Sequence, residues 1–395
     1  MKKSRNYTQK VIIDIFKDLV HSKIMLYGGG EHTITLLRLL EKNHVCIDNI
    51  IGIIDKNTEI TKIKNIKCYP PEKLSEITQN VDKIIVSSFH YQEEIINKLN
   101  ELNLLNKAVK LYDKTENKCF YWVVNKEVIL NINDIPKTPI SREIAIKDCS
   151  FQINLYLRDD LQRKIFNNGY YEIMESNFII NNYKNSKIVF DIGSNVGYYT
   201  LLLSKTLREK GTVYSIEAST DNIKLLQKNL VLNDVKNVIV MNNAVGTEKG
   251  TLKLYNNSEE NWGQKSLIKS LNELNKFEIV QVDSLDNIIR SLGLSSVDLI
   301  KCDIDGGEYN AFKGASNLLS KAKAPDILFE VNHHNLNQMG LDSNNLVSLI
   351  NSYDYSVYTF SKEGDLIPLQ ECETLDTKCN LFATKKGIDS FVFSR

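Results

Sequence analysis

The residue types best suited to chemistry lie in the segment VFDIGSNVGYYT at 189–200. An apolar run ends at Asp191, and Gly193, Asn195 and Gly197 then lead into a helix-like segment. Glycine lets the backbone approach a ligand closely, and the first turn of a helix exposes unpaired N–H groups. The segment therefore predicts a ligand site for an anionic group at the end of a strand.

The spacing of the glycines favours one ligand over another. A dinucleotide site normally has the pattern GxGxxG, whereas Gly193 and Gly197 form GxxxG after an aspartate. This favours S-adenosylmethionine over NAD, with the methionine carboxylate at the turn, which includes Ser194, and the amino group facing Asp191. An ordinary strand-to-helix turn that uses glycine only for its geometry is the structural alternative.

Two further strand ends supply residues for the same ligand. The strand VYSIE ends in Glu217, 26 residues after Asp191, and Ala218 follows it. An acid about 20 residues beyond the glycine turn accepts hydrogen bonds from ribose hydroxyls, in NAD as well as in S-adenosylmethionine. A third strand ends at Asn243 and Ala244, which we predict to contact the adenine edge.

Carboxylates also cluster after the fourth strand, in IKCDIDGGE at 300–308. We predict that Asp303 contacts the cofactor and is the first candidate for a general base, because strand ends on this edge converge on the ligand. Glu308 is a weaker candidate, since an acid at a helix start also interacts with the helix dipole. We predict no resident metal, although Asp303, Asp305 and Glu308 offer three oxygen ligands and leave a divalent ion as an alternative.

The fifth strand, in PDILFEVNHH at 325–334, leads into two histidines, His333 and His334. Histidine titrates near neutral pH, so His333 is the second candidate for the general base, between Asp303 and Glu308. A polar loop without catalytic function is the alternative for His333.

Composition narrows the class of protein. Lys+Arg and Asp+Glu are equal at 49 each, and 42% of residues are hydrophobic. The balance gives no electrostatic footprint for nucleic acid. Seven scattered cysteines without a CxxC pair indicate a reducing compartment, and no stretch approaches the roughly 18 apolar residues of a membrane span. We expect a cytoplasmic protein without membrane insertion; homodimerisation is left open.

The chain alternates strand and helix in two blocks. We predict an N-terminal Rossmann-like α/β domain at 1–115, a connector or N-terminal extension at 116–185 and a catalytic domain at 186–395. The predicted strands of the catalytic domain are 188–191, 212–217, 238–243, 297–303, 326–331, 355–360 and 381–385. The last two are too close in sequence for a crossover helix and are predicted to be antiparallel. Seven such strands are typical of the class I methyltransferase architecture.

These segments together resemble the FkbM family of S-adenosylmethionine-dependent methyltransferases over about 150–385. The likeness rests on an ordered set of blocks: NGYYE, DIGSNVGYYT, SIEAS, NNAVG, VDSLD, IKCDIDGGE and PDILFEVN. The family usually has alanine where Ser194 lies and glutamate where Asp305 lies. The segments LYGGGEHT and IIGIIDKN, with Gly28–Gly30 and Asp55, resemble a small Rossmann-like domain of some sugar-modifying enzymes of bacterial surface polysaccharide pathways.

The resemblance implies O-methylation of a hydroxyl on a sugar, a glycan or another small-molecule acceptor, as in polysaccharide biosynthesis. Two alternatives stay open: an NAD-linked nucleotide-sugar oxidoreductase and a non-catalytic binding protein on a methyltransferase fold. The acceptor pocket is expected to use the 116–185 segment and the 256–276 insertion, which contains Trp262.

Overall fold

In the computed structural model the chain divides into two compact units, Met1–Ile135 and Pro136–Arg395. The predicted boundary at 115 and the connector at 116–185 remain predictions; the second part of that connector falls in the second unit. The structure describes residues 9–57, 61–88, 91–111, 122–124, 127–129, 136–256, 265–266, 277–361, 363–369 and 378–393. Trp262 lies outside the described residues.

The first unit is an α/β domain. Its strands are β1 (Ile24–Tyr27), β2 (Ile50–Ile54), β3 (Lys62–Ile63), β4 (Ile66–Tyr69), β5 (Lys83–Val86), β6 (Ala108–Lys110), β7 (Trp122–Val124) and β8 (Glu127–Ile129), and its helices are α1 (Gln9–Asp18), α2 (Glu31–Lys42), α3 (Leu74–Ile77) and α4 (Gln92–Glu101). The six-stranded sheet has the order β3-β4-β2-β1-β5-β6, and β1 is parallel to both β2 and β5. The leucines of α2 are buried against this sheet, as their helical spacing predicts. The Rossmann-like prediction is therefore confirmed.

The second unit contains the larger sheet. Its strands are β9 (Ile140–Ile146), β10 (Cys149–Leu155), β11 (Ile188–Ile192), β12 (Thr212–Glu217), β13 (Val238–Asn242), β14 (Ala244–Gly246), β15 (Gly250–Asn256), β16 (Lys265–Ser266), β17 (Phe277–Ser284), β18 (Leu299–Cys302), β19 (Asp326–Asn332), β20 (Ser356–Phe360), β21 (Leu366–Pro368) and β22 (Lys378–Thr384). The eight-stranded sheet has the order β13-β12-β11-β18-β19-β22-β20-β21. Strands β11, β12, β13, β18 and β19 are parallel, and β22 is antiparallel to both β19 and β20. The seven predicted strands and the antiparallel terminal pair are confirmed; β21 is an additional strand.

The helices of the second unit cover both faces of this sheet. They are α5 (Asp160–Asn168), α6 (Ile173–Asn182), α7 (Tyr198–Leu207), α8 (Thr220–Leu232), α9 (Leu285–Ser291), α10 (Glu308–Lys313), α11 (Ser316–Leu319), α12 (His333–Gln338) and α13 (Ser343–Asn351). The sequence pattern over 308–321 predicts a single helix between the fourth and fifth strands; this prediction is wrong, because the structure has α10 and α11 there. The break lies at Gly314, where a β-carbon would be 2.0 Å from the carbonyl oxygen of Gly246.

A second, four-stranded sheet of order β14-β17-β15-β16 follows the third parallel strand. The sequence predicts no strand between 243 and 297 and only an insertion at 256–276, so this sheet is an additional feature of the structure. The hairpin of β9 and β10 is bound to α8 by asparagine side chains: Asn233 Oδ1 accepts a hydrogen bond from the Gln152 amide at 2.8 Å, and Asn229 Oδ1 accepts one from the Asn154 amide at 2.8 Å. No helix in the described part of the chain is both long and apolar enough to cross a membrane.

Candidate active site

Two adjoining cavities open at the carboxyl ends of β11, β12 and β18. The first, of about 90 Å³, is lined by Glu217, Ala218, Asn243 and Ala244 among others. The second, of about 350 Å³, is lined by residues of the α5–α6 region and by Asp191, Ser194, Lys301 and Lys378. Both cavities are bordered by Gly193, Asn195, Asp303 and Asp305. The structure therefore brings most of the predicted cofactor-binding residues to one edge of the sheet.

The turn after β11 depends on two glycines. Gly193 has a φ of +80°, and a β-carbon there would lie 1.8 Å from the carbonyl oxygen of Asp303. Gly197 has a φ of +98°, and its β-carbon would lie 2.4 Å from the side chain of Leu226 on α8. Because L side chains rarely adopt such φ values, other residues at these positions would displace the turn. The backbone amides at the start of α7 are thereby held at the cavity edge.

Glu217 fixes the same turn from the neighbouring strand. Its Oε2 accepts a hydrogen bond from the Asn195 amide at 2.7 Å, and its Oε1 accepts one from the Ser219 amide at 2.7 Å. The side chain is 8% exposed and borders the first cavity. This arrangement suits a ribose diol, whose two hydroxyls are donors.

Asp191 is fully buried at the second cavity. Its Oδ2 accepts a hydrogen bond from Thr200 Oγ1 at 2.5 Å, but its Oδ1 has no hydrogen-bond partner in the part of the chain that the structure describes. Burial raises the pKa of Asp191, while the nearby Lys301 ammonium opposes that rise. Leaving a buried carboxylate oxygen unpaired is costly, so this oxygen is suited to a cationic donor from a ligand.

Ser194, the predicted turn residue, faces the backbone. Its hydroxyl donates a hydrogen bond to the Ile216 carbonyl at 3.3 Å, so its contribution to a ligand would be its position in the turn. The amide of Asn243 is similarly engaged, since its Nδ2 donates to the Ala244 carbonyl at 2.8 Å. Asn242, which was predicted only as part of the strand end, donates from Nδ2 to the carbonyls of Glu217 and Ala218 at 3.0 and 2.9 Å.

Asp303 is paired with a buried lysine, Lys301, whose Nζ lies 2.9 Å from Asp303 Oδ2. Burial by itself would raise the pKa of Asp303, but the ammonium groups of Lys301 and Lys378 outweigh it and lower the pKa. Asp303 is therefore ionised at neutral pH. The Lys301 ammonium also lies 4.7 Å from the centre of the Tyr199 ring. An ionised carboxylate consequently stands where the two cavities meet.

Glu308 and His333, the other two predicted catalytic residues, line neither cavity. Glu308 is fully buried, and its Oε1 accepts a hydrogen bond from the Ile304 amide at 2.8 Å. Burial raises the pKa of Glu308 to about 8, so it is mostly protonated at neutral pH. His333 begins α12, and its Nδ1 lies 3.4 Å from Ser343 Oγ. The structure thus places neither side chain in the lining of the two cavities.

The carboxylates that could share a metal ion also differ from the predicted alternative. Asp305 borders both cavities with a φ of +51°, and burial raises its pKa to about 6. The group found in the described part of the chain is instead Glu172, Asp303 and Glu330. Only Asp303 belongs to both sets. The Glu308 side chain instead accepts a hydrogen bond from the amide of Ile304, in the loop that precedes its own helix.

Several residues of the second cavity were not predicted as site residues. Tyr171 and Tyr199 border it, and Glu172 Oε2 accepts a hydrogen bond from the Tyr199 hydroxyl at 2.6 Å. Glu172 has a φ of +44°, a strained value for a residue with a side chain. The block NGYYE contains this glutamate and was the available signal, but its sequence gives no partner. Lys378 comes from the last strand, where no motif marks it.

In the first unit, the glycine turn that follows β1 is hydrogen-bonded to Asp55, the acid that follows β2. Asp55 Oδ2 accepts a hydrogen bond from the Gly29 amide, and Asp55 Oδ1 accepts one from the Asn57 amide at 2.8 Å. A β-carbon on Gly29 would lie 2.8 Å from the β-carbon of Asp55. Both oxygens of the Asp55 carboxylate are therefore bonded to backbone amides of the first unit itself.

Residues 191–357 match the family model described as "Methyltransferase FkbM domain", and residues 20–109 match the one described as "C2185-like, N-terminal". The first match confirms the resemblance found in the sequence, so the second unit carries a methyltransferase domain. No curated protein matches the chain.

Solved structures with similar folds include three methyltransferases. One is the FkbM methyltransferase of Methylobacillus flagellatus KT (13% identity, 95% of this chain and 98% of that chain covered, TM-score 0.37). The others are precorrin-6y C5,15-methyltransferase of Geobacter metallireducens GS-15 (11%, 54% and 88%, 0.32) and a SAM-dependent methyltransferase of Aquifex aeolicus (17%, 54% and 87%, 0.30). With TM-scores this low, these likenesses carry no argument about the site.

Proposed function

We propose, from the methyltransferase domain at 191–357, that this protein transfers a methyl group from S-adenosylmethionine to a hydroxyl of a sugar, a glycan or another small polar acceptor. The observation that carries the proposal is the pairing of two acids at one glycine turn. Glu217 borders the first cavity, and Asp191 presents an unpaired oxygen at the second.

The two acids fit opposite ends of the cofactor. A ribose diol would donate to Glu217, and the adenine would lie against Ala218, Asn243 and Ala244. The α-amino group would donate to Asp191 Oδ1, and the carboxylate would accept from amides at the start of α7. The sulfonium would then lie near the junction of the cavities, beside Gly193 and Asp303.

Asp303 is the residue we propose as proton acceptor. In the reaction the acceptor oxygen forms a bond to the methyl carbon, the bond from that carbon to sulfur breaks, and S-adenosylhomocysteine leaves. The hydroxyl proton passes to the Asp303 carboxylate, which is ionised beside Lys301. Holding donor and acceptor in line in the two cavities supplies a large part of the rate.

The second cavity supports a polar acceptor. Carboxyl and ammonium groups line it on several sides, including those of Asp160, Lys164 and Lys378, and the Tyr171 ring lies among them. Such groups bind hydroxyls as donors and acceptors, while an aromatic ring packs on the apolar face of a sugar.

The proposal is tested by incubating the full chain with methyl-labelled S-adenosylmethionine and a panel of hydroxylated sugars and glycans. Label in an acceptor, removable only by ether cleavage, supports it, and Asp303→Asn should lose that activity. Label that appears only on amine-bearing acceptors would contradict O-methylation, and consumption of NAD with no label transfer would favour the oxidoreductase alternative.

A further inference from the structure

Three carboxylates from separate segments meet beside the second cavity. Glu172 precedes α6, Asp303 follows β18, and Glu330 lies within β19. Each offers one oxygen, and these oxygens all lie within 4.8 Å of one another. The proposed methyl transfer uses only Asp303, so it does not explain why the other two converge there.

Glu330 supplies an independent observation. Glu330 is 1% exposed, and its Oε1 lies 2.7 Å from Lys378 Nζ. Its Oε2 is buried and has no hydrogen-bond partner among the described residues. A buried carboxylate oxygen without a partner is costly, so the arrangement is incomplete without a proton or a cation.

The donor set selects the kind of cation. All three ligands are carboxylate oxygens, which suit hard divalent ions such as Mg²⁺, Mn²⁺ and Ca²⁺. Three oxygens that lie within 4.8 Å of one another are close enough to share one such ion, whose oxygen ligands lie about 2.0–2.6 Å from it.

We propose that Glu172, Asp303 and Glu330 form a binding site for one hard divalent cation beside the second cavity. Lys301 and Lys378 contact Asp303 and Glu330 and offset part of the charge of the group. A hydroxyl coordinated by such an ion loses its proton more readily, so the ion would assist the acceptor. The site itself requires only the three carboxylates and does not depend on the proposed methyl transfer.

The test is titration of the full chain with Mn²⁺ alone, followed by electron paramagnetic resonance of the free ion. We expect one Mn²⁺ per chain, displaced by Ca²⁺, with affinity reduced at least tenfold in Glu330→Gln and in Glu172→Gln. Glu172 is partly exposed, so its variant tests the site even if the buried Glu330 variant does not fold, as judged by circular dichroism.

Asp305→Asn is the matched control, because it removes a neighbouring negative charge without removing a ligand. Its Mn²⁺ affinity should stay within about threefold of wild type. Absence of Mn²⁺ binding in wild type would overturn the site, as would an equal loss in Asp305→Asn and Glu172→Gln. Calorimetry with S-adenosylhomocysteine on the same samples separates this result from the proposed function, since cofactor binding without Mn²⁺ binding overturns the metal site alone.

Discussion

Gly193 and Asp303 are in direct backbone contact: a β-carbon built on Gly193 would lie 1.8 Å from the carbonyl oxygen of Asp303. Gly193 belongs to the turn after β11, and Asp303 follows the adjacent parallel strand β18. The cofactor turn and the proposed base are therefore positioned by one another. A change in either backbone displaces both.

Gly193→Ala tests this relationship. The added methyl meets a carbonyl oxygen, and the φ of +80° is unfavourable for alanine. A strained backbone costs on the order of 1–3 kcal/mol, to which the steric clash adds. We expect a lower Tm and at least a tenfold weaker affinity for S-adenosylhomocysteine, measured by thermal unfolding and calorimetry.

Gly293→Ala separates the effect of backbone strain from that of the steric clash. Gly293 has a φ of +66°, but a β-carbon there meets no atom within 4 Å. It should lose stability from backbone strain alone and keep its cofactor affinity. If both variants lose affinity equally, the contact between Gly193 and Asp303 is not what shapes the site.

Asp303→Asn should separate chemistry from cofactor binding. The amide keeps the size of the side chain but is a far poorer proton acceptor, and general bases contribute about 10²–10⁴ in rate. We expect kcat to fall by that order while the Kd for S-adenosylhomocysteine changes by less than about fivefold. An unchanged kcat would remove Asp303 from the mechanism.

Glu308 should make stability depend on pH. Its pKa is raised from 4.5 to about 8, so the folded protein binds this proton more tightly than the unfolded chain. The resulting stabilisation is present below pH ~4.5 and is lost as the pH rises towards about 8. Glu308→Gln keeps an acceptor for the Ile304 amide and cannot ionise.

The measurement compares the Tm of wild type and Glu308→Gln between pH 5.5 and 8.5. The variant should gain stability relative to wild type as the pH rises, by a few kcal/mol at most. A constant difference across this range would show that Glu308 does not titrate in the folded protein.

Asn229→Ala should weaken the attachment of the β9–β10 hairpin. Asn229 is fully buried; its Oδ1 accepts from the Asn154 amide at 2.8 Å, and its Nδ2 donates to the Val196 carbonyl at 2.8 Å. Alanine leaves buried backbone groups unpaired, at about 1–3 kcal/mol. Chemical denaturation should show this loss, whereas Asn351→Ala on the exposed end of α13 should stay within about 0.5 kcal/mol of wild type.

The strands of the methyltransferase domain were predictable because parallel strands are buried on both faces and read as continuous apolar runs. The segments around Phe190 and Ile300 show this pattern, and both residues are fully buried. The break between α10 and α11 was not predictable, because it depends on the approach of Gly314 to the Gly246 carbonyl, about 70 residues away in sequence.

The cofactor side of the site followed from local sequence, since Asp191, Gly193 and Glu217 each end or follow a strand and the carboxyl ends of parallel strands converge. The acceptor side did not. Lys378 reaches the second cavity, and Glu172 accepts a hydrogen bond from Tyr199 at its border, from segments outside the parallel strands; these partners are determined by tertiary packing. His333 was predicted from its residue type, which says nothing of the direction of its side chain.

The most direct measurement of the central claim is calorimetric titration of the full chain with S-adenosylhomocysteine and, separately, with NAD. The account predicts micromolar binding of S-adenosylhomocysteine at one site per chain, lost in Glu217→Ala and retained in Asp55→Ala, the corresponding strand-end acid of the first unit, with no heat from NAD. Absence of S-adenosylhomocysteine binding, or NAD binding that disappears in Asp55→Ala, would contradict it.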